Sequence, residues 1–131
     1  YLAAELFRLE PGARRAELWN GGMPPALMLS HGGASSYSSK NMPLGILDDS
    51  QFESQSEVFE WTAPGQFFLF SDGLVEAENR LGKVFGVEKL EQALKDSEVC
   101  NRFDAITSAL AVHLGGATAH DDISLVEIKL P

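Results

Sequence analysis

Apolar residues along this chain fall into three patterns, and each predicts a different element. The first is imperfect alternation. LAAELFRLE (2–10) reads as a strand with one covered face, PGARR (11–15) as a turn, and AELWN (16–20) as the returning strand of a hairpin. GGMPP (21–25) breaks the chain and ALMLS (26–30) resumes as a short strand. The Gly- and Ser-rich HGGASSYSSKN (31–41) reads as a long surface loop, and MPLGILDDS (42–50) as a compact, turn-rich segment. Val58, Phe59 and Trp61 mark a strand whose polar approach makes its early part an edge. The second pattern is the unbroken run FFLF (67–70), which predicts a strand covered on both faces. The third is helical spacing: Val87, Leu90 and Leu94 in GVEKLEQALKDS (86–97), then Phe103, Ile106, Leu110 and Leu114 in RFDAITSALAVHL (102–114). LVEAENRLGKVFG (74–86) reads as an irregular excursion before them, GGATAH (115–120) as a loop after them, and ISLVEIKL (123–130) as a final strand. That lone strand must join the earlier sheet, since its backbone groups would otherwise stay unpaired. The order therefore predicts an α+β layered domain and not an alternating Rossmann arrangement.

Composition narrows the function. At 131 residues, with 44% hydrophobic and 22% charged positions, the chain has the size and balance of one globular domain. Ten Lys and Arg stand against nineteen Asp and Glu, a formal charge of -9, which argues against nucleic acid or an anionic membrane as the main partner. No apolar run approaches the ~20 residues of a membrane span, and no signal-peptide pattern opens the chain, so a cytoplasmic setting is expected. Cys100 is the one cysteine, which excludes an intrachain disulfide; it reads as a half-buried helix-end residue. Trp19 and Trp61 read as core. The chain opens on the structured-looking YLAAELFRL, without a polar lead-in, so a piece of a larger domain is expected.

Candidate chemistry lies at two acidic turns. Asp72 and Gly73 follow the FFLF strand; Asp121 and Asp122 precede the last one, after His120. Taken locally, Asp-Gly is equally a tight-turn pair, and Asp121-Asp122 a solvated strand flank. Neighbouring strands of one sheet could instead bring both turns together, and a buried pair of carboxylates needs a cation or a proton. Hard divalent ions such as Mg²⁺ and Mn²⁺ take oxygen donors. His31, His113 and His120 lack the spacing of a zinc motif, and His113 reads as a surface residue. Neither a GxSxG elbow nor a Walker loop is present.

Set in order, these segments resemble a known family. NGGMPPALML (20–29), MPLGIL (42–47), APGQFFLFSDGLVEAENRLGKVFGVEKL (63–90) and HDDISLVEIKL (120–130) are similar to successive blocks of the SpoIIE/RsbU-type phosphatases. These are the bacterial branch of the metal-dependent (type 2C, or PPM) protein serine/threonine phosphatases. The resemblance covers nearly the whole chain. It implies a PPM β-sandwich flanked by helices in αββα layers, of which residues 1–131 would be the C-terminal part. It implies a binuclear Mn²⁺ or Mg²⁺ centre, with Asp72 and Asp121 as catalytic metal ligands and Asp122, Gly73 and His120 in support. The implied reaction is hydrolysis of phosphoserine or phosphothreonine by an activated water, with no protein nucleophile.

The implied partners are a phosphoprotein of the anti-sigma-factor-antagonist type and an upstream sensor or response-regulator receiver domain. Three departures matter. The family's earlier metal-binding aspartates have no counterpart, so a complete metal site is not expected in this chain alone. Met23 stands where the family usually has His, with Gly21-Gly22 before it. Gln66 replaces the usual Asp of PGD, a change expected to be structural. Two alternatives stay open: a catalytically inactive phosphatase-like adaptor that binds a partner protein, and an acidic binding module without metal. Half a sandwich would leave strand edges uncovered, to be capped by its other half or by a second copy in a dimer.

Overall fold

The computed structural model describes residues 1–31 and 33–131; Gly32, inside the expected loop 31–41, lies outside the described residues. The chain forms two compact units, one of residues 1–69 and 126–131, the other of residues 70–125.

The first unit is built on strands. β1 (Ala4–Glu10) and β2 (Arg15–Gly21) form the predicted hairpin, pairing Ala4 with Gly21 through Glu10 with Arg15. A 3₁₀ turn, Pro11–Ala13, joins them, and Arg14 closes it in the left-handed region at φ 48°. β3 (Ala26–Ser30) is followed by β4 (Gly33–Tyr37), then β5 (Glu57–Glu60), β6 (Gly65–Phe70) and β7 (Leu125–Leu130). Two sheets result, ordered β1-β2-β5 and β4-β3-β6-β7. The pairs β1–β2, β2–β5, β3–β4 and β3–β6 all run antiparallel. β5 is an edge strand, as its polar approach predicted.

β4 corrects the loop expected over 31–41. Its side chains from Gly33 to Ser36 are exposed, so nothing apolar announces it. Its backbone nevertheless pairs with β3 from Gly33–Ser30 to Tyr37–Ala26. An edge strand needs partners for its amides and carbonyls, not a hydrophobic face.

Both sheets contribute to one core. Ala16 and Leu18 of β2, Ala26 of β3, Phe67 of β6, Leu130 of β7 and Trp61 form a buried cluster. Aromatic rings fill it: Phe67 lies 4.8 Å from Phe59 and 5.0 Å from Phe7, and Tyr37 lies 5.3 Å from Phe59. Facing rings from the two sheets make this unit a β-sandwich. FFLF behaves as its pattern predicted: Phe67, Phe68 and Phe70 are buried. Trp19 and Trp61 are core residues, and the Trp61 indole donates to the Pro131 carbonyl at 2.9 Å. Gln66 is also buried and donates through Nε2 to Glu127 Oε1 at 2.5 Å, tying β6 to β7. An aspartate at position 66 would set two carboxylates against each other there, so the amide suits its neighbour.

The second unit carries the helices α1 (Asp72–Glu76), α2 (Gly86–Lys95) and α3 (Arg102–Leu114). α1 and an antiparallel bridge between Glu78 and Val84 replace the irregular excursion expected over 74–86. α2 buries Leu90 and Leu94 and leaves Val87 exposed; α3 buries Ile106 and leaves Phe103 near the surface. α3 ends on Gly115, whose φ of 56° forms a left-handed cap with its N–H on the Ala111 carbonyl. Two further readings are overturned. Cys100 is exposed, because it falls in the 3₁₀ turn Val99–Asn101 between α2 and α3 instead of against a helix face. His113 is buried in α3, not on the surface, because both ring nitrogens find partners inside the unit.

Candidate metal centre

The two acidic turns meet within the second unit. Ser71 is the stitch: its N–H donates to the Ser124 carbonyl at 3.0 Å, and its Oγ accepts from the Ser124 N–H at 2.9 Å. The same hydroxyl donates to the Asp122 carbonyl at 3.2 Å. Gly73 makes the approach closer still. A Cβ placed on it would fall 2.3 Å from the Asp122 carbonyl oxygen and 3.6 Å from the Asp121 Cβ. Only glycine fits there, and the reason is contact and not φ. The segments that carry Asp72 and Asp121 are therefore in contact, through Gly73 and the Asp122 carbonyl.

Asp72 is not on a simple turn, as Asp-Gly would suggest; it is the first residue of α1, after Ser71 at the cap position. Its Oδ1 accepts the Gly73 N–H at 2.9 Å. Asp121 repeats the device, its Oδ1 accepting the Asp122 N–H at 2.8 Å. A backbone amide thus fixes one oxygen of each carboxylate. No lysine, arginine or histidine among the described residues makes an ion pair with Asp72, Asp121 or Asp122. His120 is exposed, with Nε2 3.9 Å from Glu78 Oε2.

This donor chemistry fits a hard divalent cation. The donors are carboxylate oxygens, oriented by backbone, solvent-accessible and without a protein cation to compete. The set is small: no group of three or more His, Cys, Asp or Glu that could hold a metal ion occurs among the described residues.

Sequence reasoning missed two residues that organise their surroundings. Asn20, nearly fully buried, donates through Nδ2 to Glu5 Oε1 at 3.1 Å and to the Pro24 carbonyl at 3.0 Å, and accepts the Met23 N–H at 2.9 Å. It shapes the GGMPP bend. Burial pushes the Glu5 carboxyl up to about 7, against the opposing pull of the Asn20 bond. His113 is the second: Nε2 donates to the Ala77 carbonyl at 3.1 Å and the Lys83 carbonyl at 2.9 Å, and Nδ1 accepts from Lys89 Nζ at 2.7 Å. Two carbonyl partners at Nε2 require the proton there. An asparagine before a Gly-Gly bend was the available signal for the first; nothing local signalled the second.

Two antiparallel sheets with accompanying helices, and acidic turns joined at a strand end, define an α+β domain with the fold of the PP2C phosphatases. The Stage II sporulation protein E (SpoIIE) family model matches residues 1–131, and the chain belongs to that family. Among solved structures it is similar to the SiaA-PP2C domain of Pseudomonas aeruginosa, at 20% identity and TM-score 0.77, covering 97% of this chain and 51% of that one. It is similar to the phosphatase domain of the cell fate determinant SpoIIE from Bacillus subtilis, at 12% identity and TM-score 0.70, over 99% of this chain and 59% of that one. It also resembles the catalytic domain of the serine threonine protein phosphatase PstP in complex with two manganese ions, at 17% identity and TM-score 0.56, over 90% and 55%. The chain thus spans between half and three-fifths of each of these structures. No curated protein sequence matches it. No helix among the described residues is long and apolar enough to cross a membrane.

Proposed function

We propose that residues 1–131 are the C-terminal part of a phosphatase domain that removes phosphate from phosphoserine or phosphothreonine on a regulatory partner protein. An anti-sigma-factor antagonist in bacterial signal transduction is the substrate type, and a sensor or receiver domain in the parent chain supplies control. The observation that supports this reading is the close approach of Gly73 to the Asp122 carbonyl, which joins the segment bearing Asp72 to the segment bearing Asp121. Asp72 and Asp121 are the metal ligands contributed by this chain. Asp122 and Gly73 support them: Asp122 through its N–H on Asp121 and its carbonyl on Ser71, Gly73 through its N–H on Asp72. His120 adds a polar flank. A bound Mn²⁺ or Mg²⁺ pair would supply Lewis acidity to the phosphoryl oxygens and lower the pKa of water. The chain's own part is to hold two carboxylates rigidly by backbone amides while leaving their remaining oxygens open.

The test is phosphopeptide hydrolysis by the parent protein with Mn²⁺. Asp72→Asn and Asp121→Asn should each lower kcat by roughly a hundredfold or more, the scale at which lost charge stabilisation acts. Metal binding in calorimetry without turnover in the unaltered parent would sink the enzyme reading and leave the adaptor.

A further inference from the structure

The segment after α1 is a small, tightly framed loop. Its ends are joined by Phe85 N–H to the Ala77 carbonyl at 2.8 Å and Asn79 N–H to the Lys83 carbonyl at 2.9 Å. Asn79 braces its interior, with Oδ1 accepting the N–H groups of Leu81 at 2.9 Å and Lys83 at 3.0 Å. His113 then seizes the Ala77 and Lys83 carbonyls together from α3. At the tip, Leu81 stands 81% exposed. On either side of it are Arg80 and Lys83, two cations in a chain of formal charge -9 that make no ion pair among the described residues. The loop lies along the segment leading to the acidic pair: the Arg80 guanidinium is 3.0 Å from where a Gly116 Cβ would sit, and Glu78 faces His120.

We infer that the loop Glu78–Val84 is the docking element for the phosphorylated substrate protein, with Leu81 as its apolar anchor and Arg80 and Lys83 as its anion-facing rim. This rests on the phosphatase reading above. A rigid frame means little ordering cost on association, and an exposed leucine gains by burial only against a partner. Exposed cations on an acidic protein, as Arg80 and Lys83 are, favour an occupant that brings negative charge, as a phosphoprotein does.

The experiment compares two substrates of the parent protein with Mn²⁺: phosphorylated casein, a generic phosphoprotein, and p-nitrophenyl phosphate, which is too small to reach the loop. Leu81→Ser and Arg80→Ala should each raise KM for phosphocasein several-fold, and together about tenfold, with kcat held. Turnover of p-nitrophenyl phosphate should stay at the unaltered level, and Arg80→Lys should recover part of the phosphocasein loss. Salt should raise KM for phosphocasein in the parent and less so in Arg80→Ala. Unchanged phosphocasein KM, or equal losses on both substrates, overturns the docking role while the phosphatase stands. A change only in oligomeric state overturns it too and assigns the loop to self-association. No turnover of p-nitrophenyl phosphate by the unaltered parent overturns the phosphatase reading and this inference with it.

Discussion

An alanine at position 73 would place its Cβ 2.3 Å from the Asp122 carbonyl oxygen, and that neighbour is backbone, which cannot swing aside. The strand-end segments would have to separate, drawing Asp72 away from Asp121. Gly73→Ala should therefore destabilise the parent by about 1–3 kcal/mol, as overpacking does, and lower its Mn²⁺ affinity, measured by melting and by titration calorimetry. Retained metal affinity would show that the glycine only serves packing. Glu5 offers a pH test. Its carboxyl sits at about 7, above the ordinary glutamate range, because burial disfavours the charged form. A raised folded-state value means the native state holds the proton more tightly than the unfolded chain between about 4.5 and 7. Stability from this group is full below that window and falls as pH rises through it. Glu5→Gln keeps an acceptor for Asn20 and removes the charge. It should match the parent near pH 4.5 and exceed it above pH 7.5 by on the order of 1 kcal/mol, a figure reduced because the side chain is partly solvated. Thermal melts at the two pH values decide it.

Elements differ in how much their residues announce them. The hairpin and both long helices follow from side-chain periodicity and FFLF from an unbroken apolar run, and such patterns are what a sequence displays. β4 is invisible by that measure, since Gly33–Tyr37 is held by amides and carbonyls that every residue owns. The meeting of the acidic turns was legible as a coincidence of two strand ends; the agent, Ser71 and Gly73 against Asp122, was not, because those contacts span about fifty positions. His113 is the clearest omission. Its partners are carbonyls 30 and 36 positions away, and carbonyls carry no side-chain signature. It clamps the loop from Glu78 to Val84 onto α3, so its removal should loosen that element specifically. His113→Leu leaves the Ala77 and Lys83 carbonyls short of a donor and should cost about 1–3 kcal/mol. Hydrogen exchange should quicken at the Asn79 and Phe85 amides more than at those of α2. Uniform quickening would mean that the histidine supports the unit as a whole and not the loop.

At the scale of the whole molecule, acidity and the candidate site make competing predictions about metal. A chain of formal charge -9 repels itself, and any added salt relieves that repulsion by screening. A rise in melting temperature with Mn²⁺ is thus no proof of a site. Specific binding to the native state instead stabilises by RT ln(1 + [L]/Kd), about 2.7 kcal/mol at a hundredfold excess over Kd. Screening depends only on ionic strength; site binding depends on Asp72 and Asp121. The parent protein in Mn²⁺ should melt several degrees higher than in NaCl of equal ionic strength. The double variant Asp72→Asn with Asp121→Asn should melt at the same temperature in both. Because that variant loses two negative charges, its melting point without metal should equal or exceed the parent's, which separates lost binding from simple damage. If parent and variant gain equally from Mn²⁺, the carboxylates at the ends of β6 and β7 are only part of a diffuse acidic surface, and the metal belongs elsewhere.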